Sequence, residues 1–200
     1  MPLVKEIELL GTRVVVWELL ESDCQIAEAL DCIGQTDGEN FIERHFRLTL
    51  GWQFVLHSIL GKQYQGVYKD VHGKPFLYGT GLYLSVSHTR QMVVCALHQS
   101  KKVGVDVEPI SGKIARVKHK FMSNLELTTH DSEFDLTLIW CAKEAMFKLN
   151  GERGVSFKQD IRVKALSSTS GEIILRDHFV AQYASVLLGD LMLVLAIEGE

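Results

Sequence analysis

Proline is scarce in this chain, 3 residues in 200, and no Ser/Pro-rich stretch reads as a linker between independent units. Cysteine is nearly as sparse. Cys24, Cys32, Cys95 and Cys141 show no Cys-x-x-Cys spacing, and three of the four lie in apolar runs, which predicts buried free thiols and a reducing compartment. Basic residues are not in excess either: 21 Lys and Arg stand against 25 Asp and Glu, a net charge of -4. That balance argues against a general nucleic-acid binder, whose footprint is strongly basic. No apolar run reaches the ~18 residues of a membrane span, and no N-terminal segment has the basic, apolar and small-residue order of a signal peptide. These absences predict a soluble, cytoplasmic protein with no nucleic-acid or membrane partner. Its length allows a sizeable buried core.

The hydrophobic pattern alternates between two periods. Residues 13–19 form a β-branched and aromatic run that predicts a strand, with a helix beginning near Glu21 and running to Leu30. From Asn40 to Leu60 the apolar residues recur at helical intervals and stop at Gly61. Asp70–Pro75 has turn chemistry, followed by strands over 82–87, 91–98 and 103–108. A second long helix is predicted from Phe134 to Leu149, closed by Asn150 and Gly151, and then strands near 161–166, 172–175, 182–187 and 191–197. Ser167–Ser170 reads as a surface turn. Strand, long helix, Gly-marked loop and strand meander thus occur twice. The expected fold is α+β, two similar halves of residues 1–100 and 101–200 related by a pseudo-two-fold axis, with a site in the cleft between them. Overlaying the halves sets Val16 and Glu18 against Asp106 and Glu108.

Gly104, Val105, Asp106, Val107 and Glu108 put two carboxylates into an otherwise apolar strand. Alternation places Asp106 and Glu108 on one face and the valines on the other. Two like charges side by side favour a hard divalent cation between them, and Mg²⁺ is the usual choice where a phosphate shares the site. Further on, Glu144 and Lys148 lie four apart on one helix face, with Ala142, Ala145, Met146 and Leu149 available for a buried side. Taken alone, that pair also reads as an ordinary intrahelical ion pair. Lys113, Arg116, Lys118, His119 and Lys120 form a basic strip that could be a solvated face or a docking surface for an acidic partner. Trp52, Tyr64, Tyr68 and Tyr78 show no nucleic-acid-binding spacing and are expected in the core or a cleft.

Gly104–Glu108 followed by Trp140, Cys141, Ala142, Lys143, Glu144, Ala145 and Lys148 resembles the two-part signature of the 4′-phosphopantetheinyl transferases. Gly73, Lys74 and Pro75 resemble that family's Gly-Lys-Pro loop, Ser87 and His88 its Ser-His pair, and Phe121, Ser123 and Glu126 its Phe-x-Ser-x-x-Glu segment. Length and apparent duplication are similar to the larger, monomeric, surfactin-type branch. The resemblance implies transfer of phosphopantetheine from coenzyme A to a serine of an acyl or peptidyl carrier protein, with 3′,5′-ADP leaving. It implies Asp106, Glu108 and Glu144 as Mg²⁺ ligands, and Glu144 and Lys148 as catalytic residues, leaving open whether Glu144 is base, ligand or both. It further implies Arg47, Lys74, Ser87 and His88 as coenzyme A contacts, with Gln53 and His57 standing where relatives carry another arginine. The basic strip would receive the acidic carrier. A non-catalytic coenzyme A or carrier-binding module on the same fold, and a metal-dependent phosphodiesterase, are the competing readings.

Overall fold

The computed structural model describes residues 3–31 and 43–199, with side chains described for 5–31 and 50–199. In chain order its elements are β1 (Leu3–Leu9), β2 (Thr12–Glu18), α1 (Asp23–Asp31), α2 (Glu43–Leu60), β3 (Val67–Lys69), β4 (Pro75–Leu77), β5 (Tyr83–His88), β6 (Met92–His98) and β7 (Val103–Pro109). Then follow α3 (Gly112–Ala115), α4 (Lys118–Phe121), α5 (Asn124–Thr129), α6 (Glu133–Asn150), β8 (Ile161–Ala165), β9 (Ser170–Leu175), β10 (Phe179–Leu188) and β11 (Leu191–Glu198). A four-stranded antiparallel sheet has the order β1-β2-β6-β5, a five-stranded one the order β7-β11-β10-β9-β8, and β3 and β4 form a separate ribbon. Among the described residues no helix is long and apolar enough to cross a membrane.

Strict alternation builds the layers. Val14, Val16, Val94 and Ala96 on one sheet meet Val103, Val105, Val107, Leu193, Leu195 and Ile197 on the other, so the two sheets stack face to face through a dry valine-rich layer. The intervening residues Val15, Trp17, Val93, Cys95 and Leu97 pack under α1 and α2. On the second sheet Met192, Val194 and Ala196 pack under α6 through Ala142, Ala145, Met146 and Leu149. The paired sequence overlay is therefore one residue out. Val16 faces the layer between the sheets, as Val105 and Val107 do, whereas Asp106 is cross-strand from Val194 and so shares the face beneath α6. A repeated element order does not fix facing, because a one-residue slip turns every side chain over.

Helix α6 is stopped at both ends by its own sequence. Ser132 accepts a hydrogen bond from the Asp135 amide, and Gly151 takes the left-handed conformation at the C-cap with φ 76°. Its closeness to β7 depends on Gly104. A Cβ there would lie 1.8 Å from the Ala145 carbonyl oxygen, a backbone atom that cannot swing aside. Gly104→Ala is expected to lose roughly 3 kcal/mol by overpacking and to part α6 from the carboxylate strand. A denaturant melt checks it, and a midpoint equal to the parent's would contradict the packing account.

Several expectations change. Cys95 and Cys141 are buried free thiols but Cys24 is exposed, at the start of a helix that covers the core with Ile26 and Leu30 instead; Cys32 lies outside the described residues. Trp52 and Tyr64 are buried, but Tyr68 and Tyr78 are exposed on the β3-β4 ribbon and its flank, where they pack on one another.

Candidate active site

Strand β7 delivers Gly104, Asp106 and Glu108 to one face, cross-strand from Ala196, Val194 and Met192. Helix α6 runs over that face and brings Glu144 and Lys148. Strand β5 completes the enclosure: the Val105 amide donates to Ser85 Oγ at 3.0 Å, which fixes β5 beside β7 although the two strands belong to different sheets. The outcome is a charged node between the sheets and α6. Lys148 Nζ donates to Asp106 Oδ1 at 2.7 Å, to Ser87 Oγ at 3.0 Å and to the Val105 carbonyl at 3.1 Å. Ser87 Oγ donates in turn to Asp106 Oδ1 at 2.8 Å. The Asp106 side chain is 5 % exposed, and its other oxygen, Oδ2, is buried without a hydrogen-bond partner among the described residues. The Cys141 thiol below lies 3.8 Å from the Met192 carbonyl and also neighbours the Asp106 carboxylate, so its sulfur is a weak donor beside that group. Burial, then the charges of Asp106 and Glu108 and the contact with Asp106, hold that thiol protonated against the pull of Lys148.

The three carboxyls interact through their charges. Burial first, and then Asp106 and Glu108 against the pull of Lys148, push Glu144 up to about 7. Glu108 is raised by burial and by Asp106, while Trp140, Lys148 and Lys113 pull it back. Among the described residues no three side chains already converge on a single metal position; Lys148 supplies the countercharge at Oδ1. The donor chemistry nevertheless fits a hard divalent ion, since a buried carboxylate oxygen lacks a partner and two neighbouring carboxyls resist ionisation beside it. The sign of the linkage follows. Glu144 is held near 7 when folded, against an ordinary 4.5. Its contribution to stability is complete below the ordinary value and is lost as pH rises through about 7. Mg²⁺ is expected to raise the melting temperature more at about pH 8 than at about pH 5.5, because the ion competes with the proton. Equal Mg²⁺ shifts at the two pH values in thermal melts would contradict this.

Of the other residues singled out in the sequence, His88 and Lys74 lie near the node. His88 ends β5, where partial desolvation and the nearby Lys148 charge hold its imidazole below the usual value, so at neutral pH it offers an uncharged N–H. Lys74, from the turn between β3 and β4, donates to the Leu149 carbonyl at 2.7 Å and so caps the C-terminal end of α6. Lys74 and Lys148 both line a cavity of about 230 Å³ walled by Pro75, Leu84, Val86 and Phe147, with Arg153 at its edge. Arg47 lies in α2, but its side chain is outside the described residues. Gln53 and His57 follow it on α2, and His57 packs edge-on against Tyr64.

Lys143 was not legible as a functional residue. Its side chain is fully buried and donates to Glu126 Oε2 at 2.8 Å, the Phe121 carbonyl at 2.9 Å and the Phe157 carbonyl at 3.0 Å. Glu126 also closes a capping box with Ser123. One ammonium thus hangs the α4-α5 segment and the 152–157 connection from α6, one residue before Glu144. The basic strip above it is partly committed: Lys118 pairs with Asp131, while Lys113, Arg116, His119 and Lys120 are at least partly exposed.

Residues 102–193 match the family model of the 4′-phosphopantetheinyl transferase superfamily. The chain is also similar to 4′-phosphopantetheinyl transferase HetI of Nostoc sp. (strain PCC 7120), at 27 % identity over 195 residues, covering 84 % of this chain and 81 % of the relative.

Proposed function

We propose that this protein is a Mg²⁺-dependent 4′-phosphopantetheinyl transferase of the surfactin-type branch, moving the phosphopantetheine arm of coenzyme A onto a carrier-protein serine. The observation that carries the reading is Asp106, a buried carboxylate tied by Lys148 and Ser87 on one oxygen and bare on the other, beside two carboxyls whose hold on a proton is strengthened by burial and by its charge. The family match over 102–193 and the similarity to HetI support it. Asp106, Glu108 and Glu144 would hold Mg²⁺, which supplies charge neutralisation at the diphosphate. The serine oxygen forms the new bond to phosphorus, the diphosphate bridge breaks, and 3′,5′-ADP leaves with the electron pair. Where the ion rests on Asp106 and Glu108 and leaves a Glu144 oxygen free, that carboxylate, with its metal-free affinity for a proton near neutrality, suits acceptance of the serine proton. Lys148, already beside Asp106, stabilises charge on the departing phosphate. Lys74, Ser87, His88 and Arg47 form the coenzyme A-binding set in this account, with the cavity beside Lys74 and Lys148 receiving the substrate. Calorimetry tests the reading: coenzyme A should bind more tightly with Mg²⁺ present. Binding indifferent to Mg²⁺, without turnover, would instead identify a non-catalytic binding module.

The molecule reads as two halves, residues 1–100 and 101–200, about a pseudo-two-fold axis. The support is that a long helix, α2 or α6, covers the outer face of each stacked sheet. On this reading one cytoplasmic chain contains a whole site and works as a monomer. The acidic carrier docks near the strip of Lys113, Arg116, Lys118 and Lys120. Replacing Lys113, Arg116 and Lys120 together by alanine should raise KM for the carrier about tenfold at low salt, and less as salt rises, with KM for coenzyme A unchanged. An unaltered carrier KM would place docking elsewhere.

A further inference from the structure

Across the second sheet one cross-strand row runs Ala165, Gly171, Tyr183, Ala196, Gly104. Tyr183 is the single large side chain in it, and its ring leans over Gly171: a Cβ on that glycine would lie 2.6 Å from Cε1 and 2.9 Å from Cζ. The ring tip therefore points along the row toward Ala165, at the β8 edge. There a cavity of about 160 Å³ opens between the N-terminal half of α6 and the sheet. Phe134, Leu138, Ile139, Val163 and Tyr183 line it together with the polar His130, Asp135, Ser167 and Ser168. Tyr183 is 1 % exposed, and its hydroxyl has no hydrogen-bond partner among the described residues. A phenylalanine would fill the same space without burying a donor, so the hydroxyl is a net cost to the fold unless something accepts from it.

We propose that this cavity is a second ligand site, which takes a small molecule with a ring or short apolar chain and a carbonyl or ether oxygen that accepts from Tyr183. The size suits one ring, because an apolar cavity of roughly 150 Å³ holds benzene. The apolar side chains bind the body and the hydroxyl fixes one end. The site is on the α6 segment before Trp140 and shares no lining residue with the cavity beside Lys148.

Acetophenone and ethylbenzene test the proposal as matched probes, with and without the acceptor oxygen, read by the methyl NMR signals of Leu138, Ile139 and Val163. Acetophenone should shift these signals saturably in the parent protein and bind roughly tenfold more weakly to Tyr183→Phe. Ethylbenzene should bind both proteins alike. Ala165→Phe, which fills the mouth, should abolish both, and coenzyme A should displace neither probe. No saturable acetophenone shift would reduce the cavity to a hydration site for Tyr183 and overturn the proposal. Equal acetophenone affinity in Tyr183→Phe, or binding that survives Ala165→Phe, would overturn it as well.

Discussion

Asp106→Asn is expected to lower carrier modification on the order of a thousandfold while moving the melting temperature by only a few degrees. The asymmetry comes from the arrangement around one side chain. The carboxamide would keep the shape of the carboxylate and could still accept at one oxygen from Ser87 and Lys148, so the node holds. It would lack the charge that makes Asp106 a partner for a cation, and its NH₂ group would put a donor near the position where Oδ2 is bare. The two remaining carboxyls would no longer feel the Asp106 charge, so Glu144 should titrate below its present value of about 7. Near-parental turnover in the variant would remove Asp106 from the chemistry, and an unfolded variant would make its role structural.

Lys143→Met is expected to destabilise the protein by about 3 to 5 kcal/mol, since it leaves Glu126 buried without its cation. At this chain length that corresponds to roughly 10 °C in melting temperature. Two backbone carbonyls, of Phe121 and Phe157, would lose their donor in the same step. Pairing Lys143→Met with Glu126→Gln should recover part of the loss, because the uncompensated charge goes while the carbonyls stay unpaired. Chemical denaturation of the two single variants and the double gives the coupling. Additive losses would mean that Lys143 and Glu126 do not act as a pair.

The two variants divide what could be read in advance from what could not. That Asp106 shares a face with Glu108, and Glu144 with Lys148, was legible because the period-two spacing on β7 and the i, i+4 spacing on α6 each fix a face before any fold is known, while spacing alone assigned none of them a role. The C-terminal end of α6 was legible for a similar local reason, the glycine at 151 that closes it. Lys143 was not, because a lysine between Ala142 and Glu144 looks like surface until α4, α5 and the 152–157 connection close over it. The partner of Lys148 was also hidden. Intrahelical spacing offered Glu144, but Gly104 lets α6 come so near β7 that Asp106 takes the ammonium instead. Strand β1 escaped notice since Lys5, Glu6 and Glu8 dilute its apolar residues on a sheet edge. Helices α3 to α5 were missed because pieces of four to six residues are too short to show a period.

The intact mass of an apo carrier protein after incubation with this protein, coenzyme A and Mg²⁺ reads phosphopantetheinyl transfer itself. The carrier should gain one phosphopantetheine group, 3′,5′-ADP should appear in equal amount, and a chelator should stop both. A carrier mass unchanged across acyl and peptidyl carrier proteins, with coenzyme A intact, would contradict the proposed transfer.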